Sequence, residues 1–127
     1  MSISMTQKAA DPKEKQVALR QVNFEQGFHF FYASGEYSGE TAVSLLIFKL
    51  DLEKIDVESI RYHLSRKDFQ KWILEVIGDE KLADEIDSLE IMDSDTDLRH
   101  HLVDLVEERI AELSGDMGTE ESLEGGS

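Results

Sequence analysis

The sequence predicts an all-α fold: a small irregular bundle of about five helices with an aromatic-rich extended segment near its N-terminus. Three observations lead there. Apolar residues recur at helical spacing in several stretches after residue 40. Aspartates, serines and glycines stand where helices start and stop. The connections between these stretches are brief, which suits one domain over residues 11–113 of the 127-residue chain. Met1–Ala10 and the acidic Ser114–Ser127 are polar or small and lack periodicity, so disorder is expected at both ends.

Asp11-Pro12 supplies an N-cap and a first helical residue, predicting a short helix from Pro12 towards Gln21. Phe24 to Tyr37 reads differently. Phe28, Phe30, Phe31, Tyr32 and Tyr37 stand among Gly27, Gly35 and Gly39, which predicts an extended or turning stretch covering one side of the core. Thr41 to Glu53 reads as a helix that is apolar nearly all round, with Ala42, Leu45, Phe48 and Leu52 on one face. Asp56, or alternatively Ser59, caps the next helix, which runs to about Leu64. Asp68 is expected to cap a segment in which Phe69, Trp72, Ile73, Val76 and Ile77 face the core, and Gly78 to end it. Asp79 to Ile86 gives a short helix with Leu82, Ala83 and Ile86 inward. Asp93-Ser-Asp-Thr-Asp supplies caps and favourable first-turn negative charge for the last helix, whose stripe runs from Leu98 through Leu102, Leu105, Val106 and Ile110 to Leu113.

Composition removes several chemistries. Without cysteine there are no disulfides, thiolate zinc sites, iron–sulfur clusters or thiol nucleophiles, which fits a cytoplasmic protein. The net charge of −15 divides as +1 over residues 1–35, −2 over 36–78 and −14 over 79–127. Such a C-terminal part repels phosphate backbones, so nucleic-acid binding is not expected. No apolar run approaches the length of a membrane span, and the N-terminus lacks the basic start and apolar block of a signal peptide.

Ser59 to Gly78 crowds a histidine, two arginines, an aspartate, a tyrosine and the only tryptophan into one helix corner. The pattern Ser-Ile-x-x-His-x-x-Arg-x-Asp-Phe-x-x-Trp-Ile at Ser59 to Ile73 resembles the signature of a prokaryotic, largely archaeal family catalogued as a domain of unknown function. Phe28-His-Phe-Phe-Tyr, Tyr37-Ser-Gly, Ala42-Val-Ser-Leu, Gly78-Asp79 and Leu82-Ala83 fit the same pattern, so the resemblance covers Phe28 to Ile86. It implies a fold and no activity. Members of that family often carry Gly where this chain has Lys67, and Glu where it has Ile47. A left-handed backbone at Lys67 would carry strain of roughly 1 kcal/mol.

Tyr62, His63, Arg66, Asp68 and Trp72 are the candidate site residues. As a small-molecule site, Arg66 holds an anion by forked hydrogen bonds, His63 exchanges a proton, and Tyr62 and Trp72 form flat walls. As a structural pin, Arg66 pairs with Asp68 at the corner and Trp72 belongs to the core. An open cleft beside Arg66, lined by the Phe28–Tyr32 aromatics, favours the first, as a small enzyme or sensor; an Arg66 fully enclosed and paired with Asp68 or helix carbonyls favours the second. His100 and His101 point to different helix faces and leave a metal site incomplete. Asp93, Asp95, Asp97 and Asp104 follow a calcium-loop spacing, but Leu98 stands where that loop needs Gly. No nucleophile elbow or phosphate loop occurs. The reading is a non-enzymatic protein-interaction or ligand-binding module without metal or cofactor, meeting a protein partner or a second copy. The alternative is a small enzyme or sensor binding an anion at His63, Arg66, Asp68 and Trp72.

Overall fold

The described residues of the computed structural model, 17–115, form an α+β chain, mostly helical but with a two-stranded antiparallel sheet. This corrects the all-α expectation. The aromatic stretch is a strand, β1 (Phe28–Ala33), and the polar stretch after it is its partner, β2 (Glu36–Ala42). Ser34 and Gly35 turn the chain between them, with Gly35 at φ 78°. The helix expected from Thr41 therefore begins late, because Thr41 and Ala42 belong to β2, opposite His29 and Phe28. Side chains alternate across β1: Phe28 and Phe30 are buried, whereas His29 and Phe31 lie half-buried on the other face. Gly27 enters β1 where no side chain fits, since a Cβ there would lie 2.8 Å from the Ala42 carbonyl oxygen.

Five α-helices follow. Ser44 caps α1 (Leu45–Lys54), and Asp56 caps α2 (Val57–Arg66) as the sequence suggested. The short α3 (Asp68–Trp72) runs unbroken into a π-helical turn, Ile73–Ile77, closed by Gly78 at φ 83°. Asp79 caps α4 (Glu80–Asp87). Within the expected capping segment Ser94 caps α5 (Asp95–Ser114), Asp95 and Asp97 give its first turn negative charge, and left-handed Gly115 ends it. Residues 17–19 are helical. The rest of the expectation for residues 12–16, and those for residues 1–10 and 116–127, lie outside the described residues. Ser114 closes α5 and so is helical, contrary to the reading of the tail. No helix among the described residues is long and apolar enough to cross a membrane.

The core gathers Phe28 and Phe30 from the sheet with Phe48, Leu52, Phe69, Ile73, Leu98 and Leu102 from the helices, all buried. Each such side chain contributes about 1.5–3 kcal/mol when fully enclosed. Three arginines then tie α5 to the rest. Arg99 donates to the carbonyls of Leu52 (2.8 Å) and Ile55 (2.7 Å) at the end of α1. Arg61 on α2 donates to the Met92 carbonyl (2.8 Å) and to Asp95 (2.8 Å). Arg109 grips Asp79 with two bonds, of 2.8 and 3.1 Å.

Lys67 is the hinge of the α2–α3 corner. It adopts φ 63°, ψ 28°, the left-handed region in which Gly is favoured at a helix end. The strain is offset only by an exposed pair with Asp87 at 2.6 Å, a type of contact that contributes little. Lys67→Gly is accordingly expected to raise unfolding stability by roughly 0.5–1 kcal/mol, read from urea denaturation. A loss of stability would mean that the lysine side chain holds the corner.

Candidate functional site

All five candidate residues meet along one groove, between β1 and the α2–α3 corner. Its volume is about 460 Å³, and Tyr62, His63, Arg66, Asp68 and Trp72 all contribute to its walls. The corner brings them together because Lys67 reverses the chain within one residue. That turn places Asp68 beside the last turn of α2, so its carboxylate faces back. Asp68 is therefore no N-cap: Lys67 occupies that position, and the Asp68 carboxylate binds side chains instead.

His63 is the centre of the structural part. Its side chain is 4% exposed. Nε2 lies 2.8 Å from the Phe31 backbone nitrogen, which can only donate, so Nε2 carries the lone pair. The ring proton must then sit on Nδ1, where it is donated to Asp68 Oδ2 at 2.8 Å. Burial holds the imidazole below the ordinary histidine range, against the opposite pull of Asp68. One turn earlier, the Ser59 hydroxyl donates to the Phe31 carbonyl at 2.7 Å. Ser59 and His63 thus present a donor and an acceptor, respectively, to the outer edge of β1, as a neighbouring strand would. Trp72 closes the other end, its indole N–H donating to the Gln26 carbonyl at 2.8 Å.

Arg66 behaves differently. Its side chain is 57% exposed, and only Nε is engaged, with Asp68 Oδ2 at 3.1 Å. The guanidinium lies over the Tyr62 ring, 5.4 Å from its centroid. Its two terminal amino groups have no hydrogen-bond partner among the described residues. Arg66 is thus the open-cleft case, not the enclosed pin.

Phe28 and Phe31 of the aromatic stretch line the groove beside Arg66, and it also contains two residues that the sequence did not single out, Lys71 and Glu75. Lys71 is exposed and has no ion-pair partner among the described residues. Its spacing five residues after Arg66 carries no helical signal, because the corner resets the phase. The other imidazoles lie elsewhere. His101 and His100 are exposed on α5, and His101 Nδ1 is 3.0 Å from the Asp97 carbonyl. Among the described residues no group of three or more His, Asp or Glu side chains converges on a possible metal. Asp51 is buried with one carboxylate oxygen unpartnered among the described residues, and burial beside Glu40 raises its affinity for a proton. It does not line the groove.

The chain matches no known family model, no curated protein and no solved structure. The resemblance at Ser59 to Ile73 stands on its residues alone.

Proposed function

We propose that this chain is a non-enzymatic binding domain whose ligand is a small anionic molecule seated in the groove beside Arg66. The observation that carries the reading is the guanidinium itself. It is fixed at Nε by Asp68 and flat over Tyr62, while both terminal amino groups point to no partner among the described residues. A pre-positioned fork of this kind suits a carboxylate or phosphate oxygen pair. Lys71 adds a second cation, and Phe28 and Phe31 give the ligand's apolar part a surface. A volume of about 460 Å³ falls within the range of small-molecule sites.

Catalysis has less support than binding. Proton exchange by His63 needs a free lone pair or a free proton, and the fold uses both nitrogens. The reading places the domain in the cytoplasm, apart from nucleic acid, in keeping with a cysteine-free chain of net charge −15.

The test is a thermal-shift screen of the full chain against small aromatic and aliphatic carboxylates and phosphate esters. A ligand should raise the melting temperature of the wild type. Arg66→Ala should weaken that ligand by roughly 30-fold, about 2 kcal/mol, with Arg66→Lys in between. Equal affinity in Arg66→Ala, or no response to any anion, would overturn the proposal.

A further inference from the structure

We infer that the outer face of the β-hairpin is a docking surface for an arginine-bearing segment of another protein. The face is the side of the sheet turned away from the core. Four rings line it in sequence: Phe24 lies 5.0 Å from His29, His29 6.1 Å from Tyr37, and Tyr37 5.6 Å from Phe31. Phe24 and Tyr37 are 60% and 43% exposed, so the row is open to solvent. Isolated exposed aromatics are ordinary, but a contiguous row marks a contact surface.

Two further observations identify the occupant. Between Arg20 and Lys49 the chain has no lysine or arginine, and its charged side chains there are Glu25, Glu36 and Glu40. Glu25 and Glu36 are exposed, beside Phe24 and Tyr37 respectively. His29 and Phe31 also border the groove that holds Arg66 and Lys71, whereas the Phe24 and Tyr37 ends of the row adjoin carboxylates and belong to a segment without a cation. Those ends are complementary to guanidinium groups, which stack on rings and pair with carboxylates. The rings are also held in place. Thr41 Oγ1 lies 2.8 Å from His29 Nδ1 and 2.6 Å from the Tyr37 hydroxyl, so two of the four rings share one hydrogen-bond anchor. Fixed aromatic side chains bind with little loss of conformational freedom. The strand edge is a poorer offer than the face. Gly39 is left-handed at φ 96°, and the Glu40 N–H is bonded to Ser38 Oγ at 3.1 Å, which interrupts the edge of β2.

The experiment titrates the full chain with an eight-residue peptide of alternating arginine and glycine, followed by amide chemical shifts. Wild type, Phe24→Ser and Tyr37→Ser are compared, and a serine–glycine peptide serves as the uncharged control. Phe24→Ser and Tyr37→Ser keep the net charge, so they separate this face from general attraction to an acidic protein. The expected result is shifts centred on Phe24, His29 and Tyr37, absent with the control peptide. Affinity should fall at least about tenfold in each variant. Unchanged binding in both variants, equal binding of the control, or no binding would overturn the inference. So would self-association of the chain through this face. Hairpin amide shifts confirm that each variant is folded.

Discussion

Arg109→Ala is expected to lower unfolding stability by about 3 kcal/mol, the largest single effect foreseen in this chain. The reason is Asp79, whose side chain is 3% exposed. In the wild type its two oxygens receive Arg109 Nε at 2.8 Å and Nη2 at 3.1 Å. The same carboxylate caps α4 through the Leu82 amide, and the Asp79 N–H itself bonds to the Ile73 carbonyl at 3.0 Å. Removing the guanidinium leaves a carboxylate enclosed with only a weak 3.4 Å amide contact. It also removes the 2.8 Å bond to Glu112, which is left with Lys81 at 3.1 Å. For a domain of this size the loss corresponds to a melting temperature lower by roughly 15 °C. Arg109→Met combined with Asp79→Asn should recover most of it, because the stranded charge is then gone while the cap remains. A single variant within 1 kcal/mol of wild type would show that Asp79 finds water or a proton instead.

The second large effect is expected at His63. His63→Ala removes the acceptor of the Phe31 amide and the donor to Asp68, and opens a space against Phe28 and Phe69, whose rings lie 4.8 and 5.5 Å from the imidazole. An unsatisfied buried amide together with lost packing costs about 2–3 kcal/mol. The pH dependence carries a distinct mark. Burial keeps the folded imidazole below its ordinary value near 6.5, so the unfolded chain takes up the proton first. The contribution of His63 to stability is whole above that value. It declines as pH falls from about 6.5 to the lower folded value and then levels off. Protonation would also place an N–H against the Phe31 N–H. Urea unfolding between pH 7.5 and 5 should therefore show a decline in the wild type that is reduced in His63→Ala. Parallel profiles would mean that the ring takes its proton freely in the folded state.

The helices were legible because their apolar residues recur at helical spacing and because Asp56, Asp79, Gly78 and Gly115 mark their ends. The sheet was harder to read. β1 carries aromatics on both faces, so Phe28-His-Phe-Phe-Tyr shows no clean alternation, and β2 is polar, with Tyr37, Ser38, Gly39 and Glu40 in a row. Ser34-Gly35 between two extended stretches was the available hairpin signal. The groove was half visible. Its five candidates lie within eleven positions of one another, and the turn at Lys67 brings them together. Its other wall comes from Phe28 and Phe31, legible as aromatics that need covering and would line a cleft beside Arg66, although no local pattern encodes their pairing with residues about thirty positions away. The i, i+4 spacing of Ser59 and His63 was on the page, but what it faces is decided by where β1 packs. The same holds for Arg109 and Asp79, which two separate amphipathic helices bring together.

One polar cluster divides in two: His63 holds the fold, and Arg66 is the residue proposed to meet a ligand. Urea unfolding of Arg66→Ala beside His63→Ala and the wild type tests that division directly. Arg66 is 57% exposed and makes one protein hydrogen bond, while Asp68 keeps its bond from His63. Arg66→Ala should therefore stay within roughly 0.5 kcal/mol of wild type while His63→Ala falls by about 2 kcal/mol or more. A loss in Arg66→Ala as large as that in His63→Ala would contradict the account, and would make Arg66 part of the pin.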